Sequence, residues 1–121
     1  MKLKLSEVLD ADIGLSEIAK AKMPVHVGFK LARAIKAVHA EAMMGGESLN
    51  KLLTEHGAPR EKEPSVFDIA LDRRVDYMAA VKALHDAEID VVVEPVELPG
   101  TLEVPPAALL AAGPLVVLQA V

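Results

Sequence analysis

Leu31, Ile35, Val38, Ala42, Gly45, Leu49 and Leu52 recur along the chain at spacings of 4, 3, 4, 3, 4 and 3. That alternation keeps one stripe in line on a helix, and it describes a heptad seam. The spacing predicts a long helix over residues 24–57, opened by Pro24 and ended by Gly57 and Pro59. Proline suits the first turn, where its missing N–H has no partner to lose, and glycine suits the end. Gly45-Gly46 is the weak point, since each glycine costs a helix about 1 kcal/mol relative to alanine. Either the helix kinks or breaks there, or Gly45 lets another backbone approach the seam.

The flanking segments carry shorter patterns. Residues 2–5 alternate Lys and Leu, as a half-buried strand does. Ser6 could cap a short helical turn, and Asp12 or Ser16 another ending near Lys22, so residues 1–23 read as a strand and short helix. Residues 58–70 read as a charged, proline-bounded loop, with a short strand within 66–70. A second helix is expected over 71–88, capped by Asp72, with Val75, Met78, Val81 and Leu84 (Leu71 just ahead) as the stripe that meets the first helix. Residues 89–98 read as a strand. Pro95 interrupts its ladder and so marks an edge or a bulge. In the C-terminal segment, 99–121, Pro105-Pro106 opens a short helix stopped by Gly113-Pro114, and the tail after it is almost wholly apolar.

The fold class that follows is α+β in a single domain. A long helix packs on a second helix, with a small two- to three-stranded sheet and a short C-terminal helix. The lengths do not match, however. A helix of about 33 residues spans about 50 Å, whereas one of about 15 residues spans about 22 Å. Part of the seam must therefore meet the terminal segments or another chain. The candidate interface is Leu31, Ile35, Val38, Ala42, Gly45, Leu49 and Leu52, with Leu115 and Val117 from the apolar tail.

Composition narrows the chemistry. The 121 residues are 52% apolar but only 2% aromatic, and none is cysteine. A core of Ala, Val, Leu, Ile and Met follows. Disulfides, cysteine-ligated metals and thiolate nucleophiles are excluded, and a base-stacking nucleic-acid platform is disfavoured. There is no apolar run of membrane-spanning length and no signal-peptide pattern at residues 1–5. The expectation is a cytoplasmic protein, or one made there, with no membrane partner. The net charge of −5 divides unevenly: residues 1–60 hold nine basic and seven acidic side chains, and residues 61–121 hold four and eleven. The halves could attract each other or different partners.

Each candidate chemical feature has an ordinary counterpart. His26, His39, His56 and His85 include no pair at helical metal-site spacing. His39 and Glu41 form an H-x-E without the cysteines a zinc deaminase needs, so surface histidines are expected. Asp86, Glu88, Asp90, Glu94 and Glu97 could place Asp90 and Glu94 on one strand face for acid–base work or a hard cation. A solvated, charge-guarded edge is the simpler reading. Lys20, Lys22, Lys30, Arg33 and Lys36 lie in a stretch free of acidic residues, where phosphate contact competes with pairing to the acidic half. Nucleic acid is the less expected partner because the net charge is negative. No nucleophile elbow, Walker A or dinucleotide motif occurs. The expectation is a protein that is not an enzyme and holds no cofactor or metal.

The order of motifs resembles that of small proteins encoded by tailed bacteriophages and prophages. Phe29-Lys-Leu-Ala-Arg-Ala-Ile35 is followed by Leu49-Asn-Lys-Leu-Leu-Thr-Glu-His-Gly57. Met78-Ala-Ala-Val-Lys-Ala-Leu84, Ile89-Asp-Val-Val-Val-Glu-Pro-Val-Glu-Leu98 and Pro106-Ala-Ala-Leu-Leu110 come next. The resemblance covers about residues 25–121 and brings no active-site residues with it. It implies an uncharacterised phage protein that acts by protein–protein contact, in virion structure or assembly. Other phage or host proteins are the partners expected, together with copies of itself. A host-directed inhibitor or regulator with an acidic binding face is the alternative.

Overall fold

The computed structural model describes residues 1–63 and 65–119. Among these residues the chain forms an α+β fold of four α-helices and six short strands. Strand β1 (Lys2–Lys4) runs directly into α1 (Leu5–Ile18), and α2 (Val25–His56) follows. Strands β2 (Ala58–Pro59) and β3 (Phe67–Asp68) bracket a charged loop before α3 (Leu71–His85). Strands β4 (Glu88–Asp90) and β5 (Val96–Leu98) lead to α4 (Pro106–Ala112), a 3-10 turn (Gly113–Leu115) and β6 (Val116–Leu118).

The long helix is continuous through Gly45 and Gly46. Gly45 faces Leu5 so closely that a Cβ there would overlap the Leu5 methyl. The seam gap is thus filled by a side chain of α1. Helix α2 packs on both α1 and α3: Gly45 meets Leu5 and His39 meets Asp12 of α1, while His56 at its C-terminal end stands beside Tyr77 of α3. Two short helical turns were expected before residue 23, and one 14-residue helix stands there instead. Val8, Ala11, Leu15 and Ile18 give it a buried face at spacings of 3, 4 and 3, which accounts for its continuity. Ser16 is no cap; its hydroxyl donates to the Asp12 carbonyl at 2.8 Å. The start is held by the Lys4 amide, which donates to Glu7 Oε1 at 3.0 Å.

Helix α1 is the middle of the molecule, packed between α2 and α4. Its Gly14 allows α4 to approach: a Cβ there would stand 2.6 Å from the Ala112 nitrogen and 2.7 Å from the Ala108 oxygen. The core joins Leu15 and Ile18 to Leu31 and Val38 of α2, Val96 and Leu98 of β5, and Leu115. It is made of small and aliphatic side chains, as the scarcity of aromatics requires.

The strands form three separate two-stranded ladders. β1 pairs antiparallel with β4, setting Leu3 opposite Ile89. β2 pairs antiparallel with β3, and β5 pairs parallel with β6. The expected single strand over 89–98 is therefore two strands in two ladders. Pro95 has no amide to donate, and it falls in the unpaired stretch between them. Asp72 likewise is not a cap. Helix α3 begins at Leu71 with Ala70 as its N-cap residue, and Asp72 lies in its first turn. Pro105 precedes α4 and Pro106 opens it, while Gly113 ends it at a φ of 57°, a conformation that favours glycine.

Candidate functional site

The seam residues divide between two environments. Leu31, Val38, Ala42 and Gly45 are buried within the chain, and Ile35 packs half-buried against the same core. Leu115 is buried as well. These positions are occupied by α1 and the terminal segments, the first of the two possibilities that the helix lengths allowed. Leu49 and Leu52 are only half-buried, and Val117 is 50% exposed.

The candidate chemical groups are dispersed. His39 Nδ1 lies 3.1 Å from Asp12 Oδ1, joining α2 to α1 on the surface. His56 Nδ1 donates to the Leu52 carbonyl at 2.8 Å, and its ring stands 5.9 Å from that of Tyr77. Among the described residues no three His, Asp or Glu side chains gather as a metal site would require. Asp90 takes the N-terminal ammonium at 3.4 Å, and Glu97 accepts from Gln119 at 3.0 Å. Asp90 ends β4 and Glu94 lies in the unpaired stretch 91–95, so strand alternation does not place them on a common face. In the basic stretch, Lys20 pairs with Glu17, and the Arg33 guanidinium lies 6.0 Å from the centre of the exposed Phe29 ring. The ion pairs among the described residues do not join this stretch to the acidic half. An open depression of about 380 Å³ lies along α2, lined by Glu47, Asn50, Lys51, Thr54 and Glu55. All five come from one helix, so nothing encloses a small molecule there.

The feature that stands out is α3. It contains no buried residue, and none of the described residues from 46 to 90 is fully buried. Toward α2 it turns Tyr77, Ala80, Val81 and Leu84, all half-buried. Leu71, Val75 and Met78 are left 78%, 76% and 68% exposed. At spacings of four and three they form one line on the helix. The charged groups around them are Asp72, Arg74, Asp76 and Lys82, all exposed. Arg74 is anchored by Nε, which donates to the Ile69 carbonyl at 3.2 Å.

Sequence reasoning placed Leu71, Val75 and Met78 in the contact with α2. The error lies in the spacing. Val75, Met78, Val81 and Leu84 are separated by three each time, and every such step turns about 60° back around a helix of about 100° per residue. Val75 and Leu84 therefore stand on opposite sides. The signal that separates the two stripes is the sequence of intervals: four, three and four from Leu71 to Lys82, against three, one and three from Tyr77 to Leu84.

No helix among the described residues is long and apolar enough to cross a membrane. Comparison with protein-family models, with curated proteins and with solved structures finds no match.

Proposed function

We propose that this chain is a non-enzymatic phage or prophage protein that acts by protein–protein contact, in virion structure or assembly. The observation that carries the protein-binding part is the exposed line Leu71, Val75 and Met78 on a helix with no buried residue. Large apolar side chains set in a row and rimmed by charge are what interaction sites present. The helix-in-groove mode of recognition uses anchors at these same intervals. The motif order supports the phage assignment, with the host cytoplasm and the virion as its places of action.

The test is affinity capture of the tagged full chain from cells producing the encoding phage, beside a Val75→Glu variant. A virion structural protein should be retained by the wild type and lost with the variant. Retention of one host enzyme in a salt-sensitive manner, unaffected at position 75, would overturn this assignment in favour of a host-directed inhibitor working through its acidic face.

A further inference from the structure

We propose that α3 binds α3 of a second copy of this chain, antiparallel, about a two-fold axis at Asp76-Tyr77. The proposal rests on the reading of the α3 face as a protein-binding surface and names its occupant.

The argument begins with the fourth member of the stripe. Leu71, Val75, Met78 and Lys82 follow one another at intervals of four, three and four, so the apolar line ends in an exposed lysine. The other end begins beside an exposed acid, Asp72. Among the described residues the ion pairs engage neither of these two groups.

A heptad line can meet its own copy in two directions. In a parallel pair Lys82 faces Lys82, and Asp72 lies beside Asp72, so both ends repel. In an antiparallel pair, side chains that follow an interval of four layer against those that follow an interval of three. That layering sets Val75 on the partner's Met78 and Leu71 on the aliphatic stem of the partner's Lys82. The Lys82 ammonium then comes level with the partner's Asp72. Two-fold symmetry repeats the contact at the other end. The charge order of α3 thus opposes one direction and completes the other.

Overall charge is compatible with self-contact here. The chain carries −5, but residues 47–85 hold six basic side chains (Lys51, Arg60, Lys62, Arg73, Arg74, Lys82) and seven acidic ones (Glu47, Glu55, Glu61, Glu63, Asp68, Asp72, Asp76), a difference of −1. The stripe with the Lys82 stem and Ala79 places on the order of 500 Å² of each copy in the contact, so the pair reaches roughly the 1,000 Å² that a specific interface needs. Each α2–α3 hairpin would then supply the other with the second layer it lacks, as hairpins do in a four-helix bundle.

Sedimentation equilibrium of the full chain tests this from about 1 μM to about 300 μM, the range suited to an interface near the lower size limit. A monomer–dimer equilibrium with a micromolar Kd is expected. Val75→Glu should raise the Kd at least about tenfold, with the helical circular dichroism retained because Val75 is exposed. Lys82→Asp should also weaken the dimer, and Asp72→Lys combined with Lys82→Asp should restore it, since the reversed pair meets again across the axis. A wild type that stays monomeric throughout, or a double variant no better than Lys82→Asp alone, overturns the pairing. Should the wild type be monomeric while Val75→Glu abolishes capture of a virion protein, the self-pairing falls and the protein-binding reading stands. If Val75→Glu leaves capture unchanged as well, both fall.

Discussion

Gly14 and Gly45 lack side chains at points where another element already occupies the space. At Gly14 the obstacles are backbone atoms of α4, which cannot rotate away. Gly14→Ala must push two helices apart, and urea unfolding should show a loss of about 2–3 kcal/mol, the scale of overpacking a core. At Gly45 the obstacle is the Leu5 side chain, itself 1% exposed and so unable to swing into solvent. Its methyl groups can still shift, and replacing a helical glycine returns about 1 kcal/mol. Gly45→Ala should therefore lose about 1 kcal/mol net. At Gly46 nothing stands within 4 Å of the added Cβ, so Gly46→Ala should gain about 0.5–1 kcal/mol. Opposite signs at adjacent glycines are the readout. A gain at both positions would mean that Leu5 does not press on Gly45.

At the scale of elements, α2 is embedded as far as Gly45 and only half covered beyond it. Leu31→Ala removes a side chain 1% exposed and should cost about 2–5 kcal/mol, as buried leucines do. Leu52→Ala, from the same seam but only half-buried, should cost about 1–2 kcal/mol. Equal losses in chemical denaturation would contradict that division. The helix itself was legible in the sequence because a run of alternating fours and threes admits one face only. The ends of α4 were legible because Pro105-Pro106 and Gly113-Pro114 restrict the backbone directly. Helix α1 was less so: a glycine in its middle and two serines that looked like caps hid a buried face that only α2 and α4 together reveal. The strand over 89–98 failed for a related reason. A run rich in valine states that the backbone is extended, but not which partner it meets, and the partners, β1 and β6, come from opposite ends of the chain. Of the exposed line Leu71, Val75 and Met78, the sequence showed the residues but not the side of α3 on which they fall.

For the molecule as a whole, the buried side chains among the described residues are confined to 3–45 and 91–115, while the described residues between them have none. Global stability resides in the first group, and an element with few buried contacts opens separately from the rest. Amide hydrogen exchange at low protein concentration should therefore find α3 less protected than α1 and than the part of α2 from Leu31 to Gly45. Helix α3 is unbroken from Leu71 to His85, so the difference would report tertiary burial and not helix content. The lowered barrier concerns the same helix that carries the exposed line Leu71, Val75 and Met78. Any partner bound there, a second copy included, stabilises the hairpin by mass action. Raising the protein concentration should then slow exchange in α3 selectively, with α1 unchanged. Exchange in α3 as slow as in α1, and independent of concentration, would show one cooperative unit instead and would remove the energetic reason for the hairpin to seek a partner.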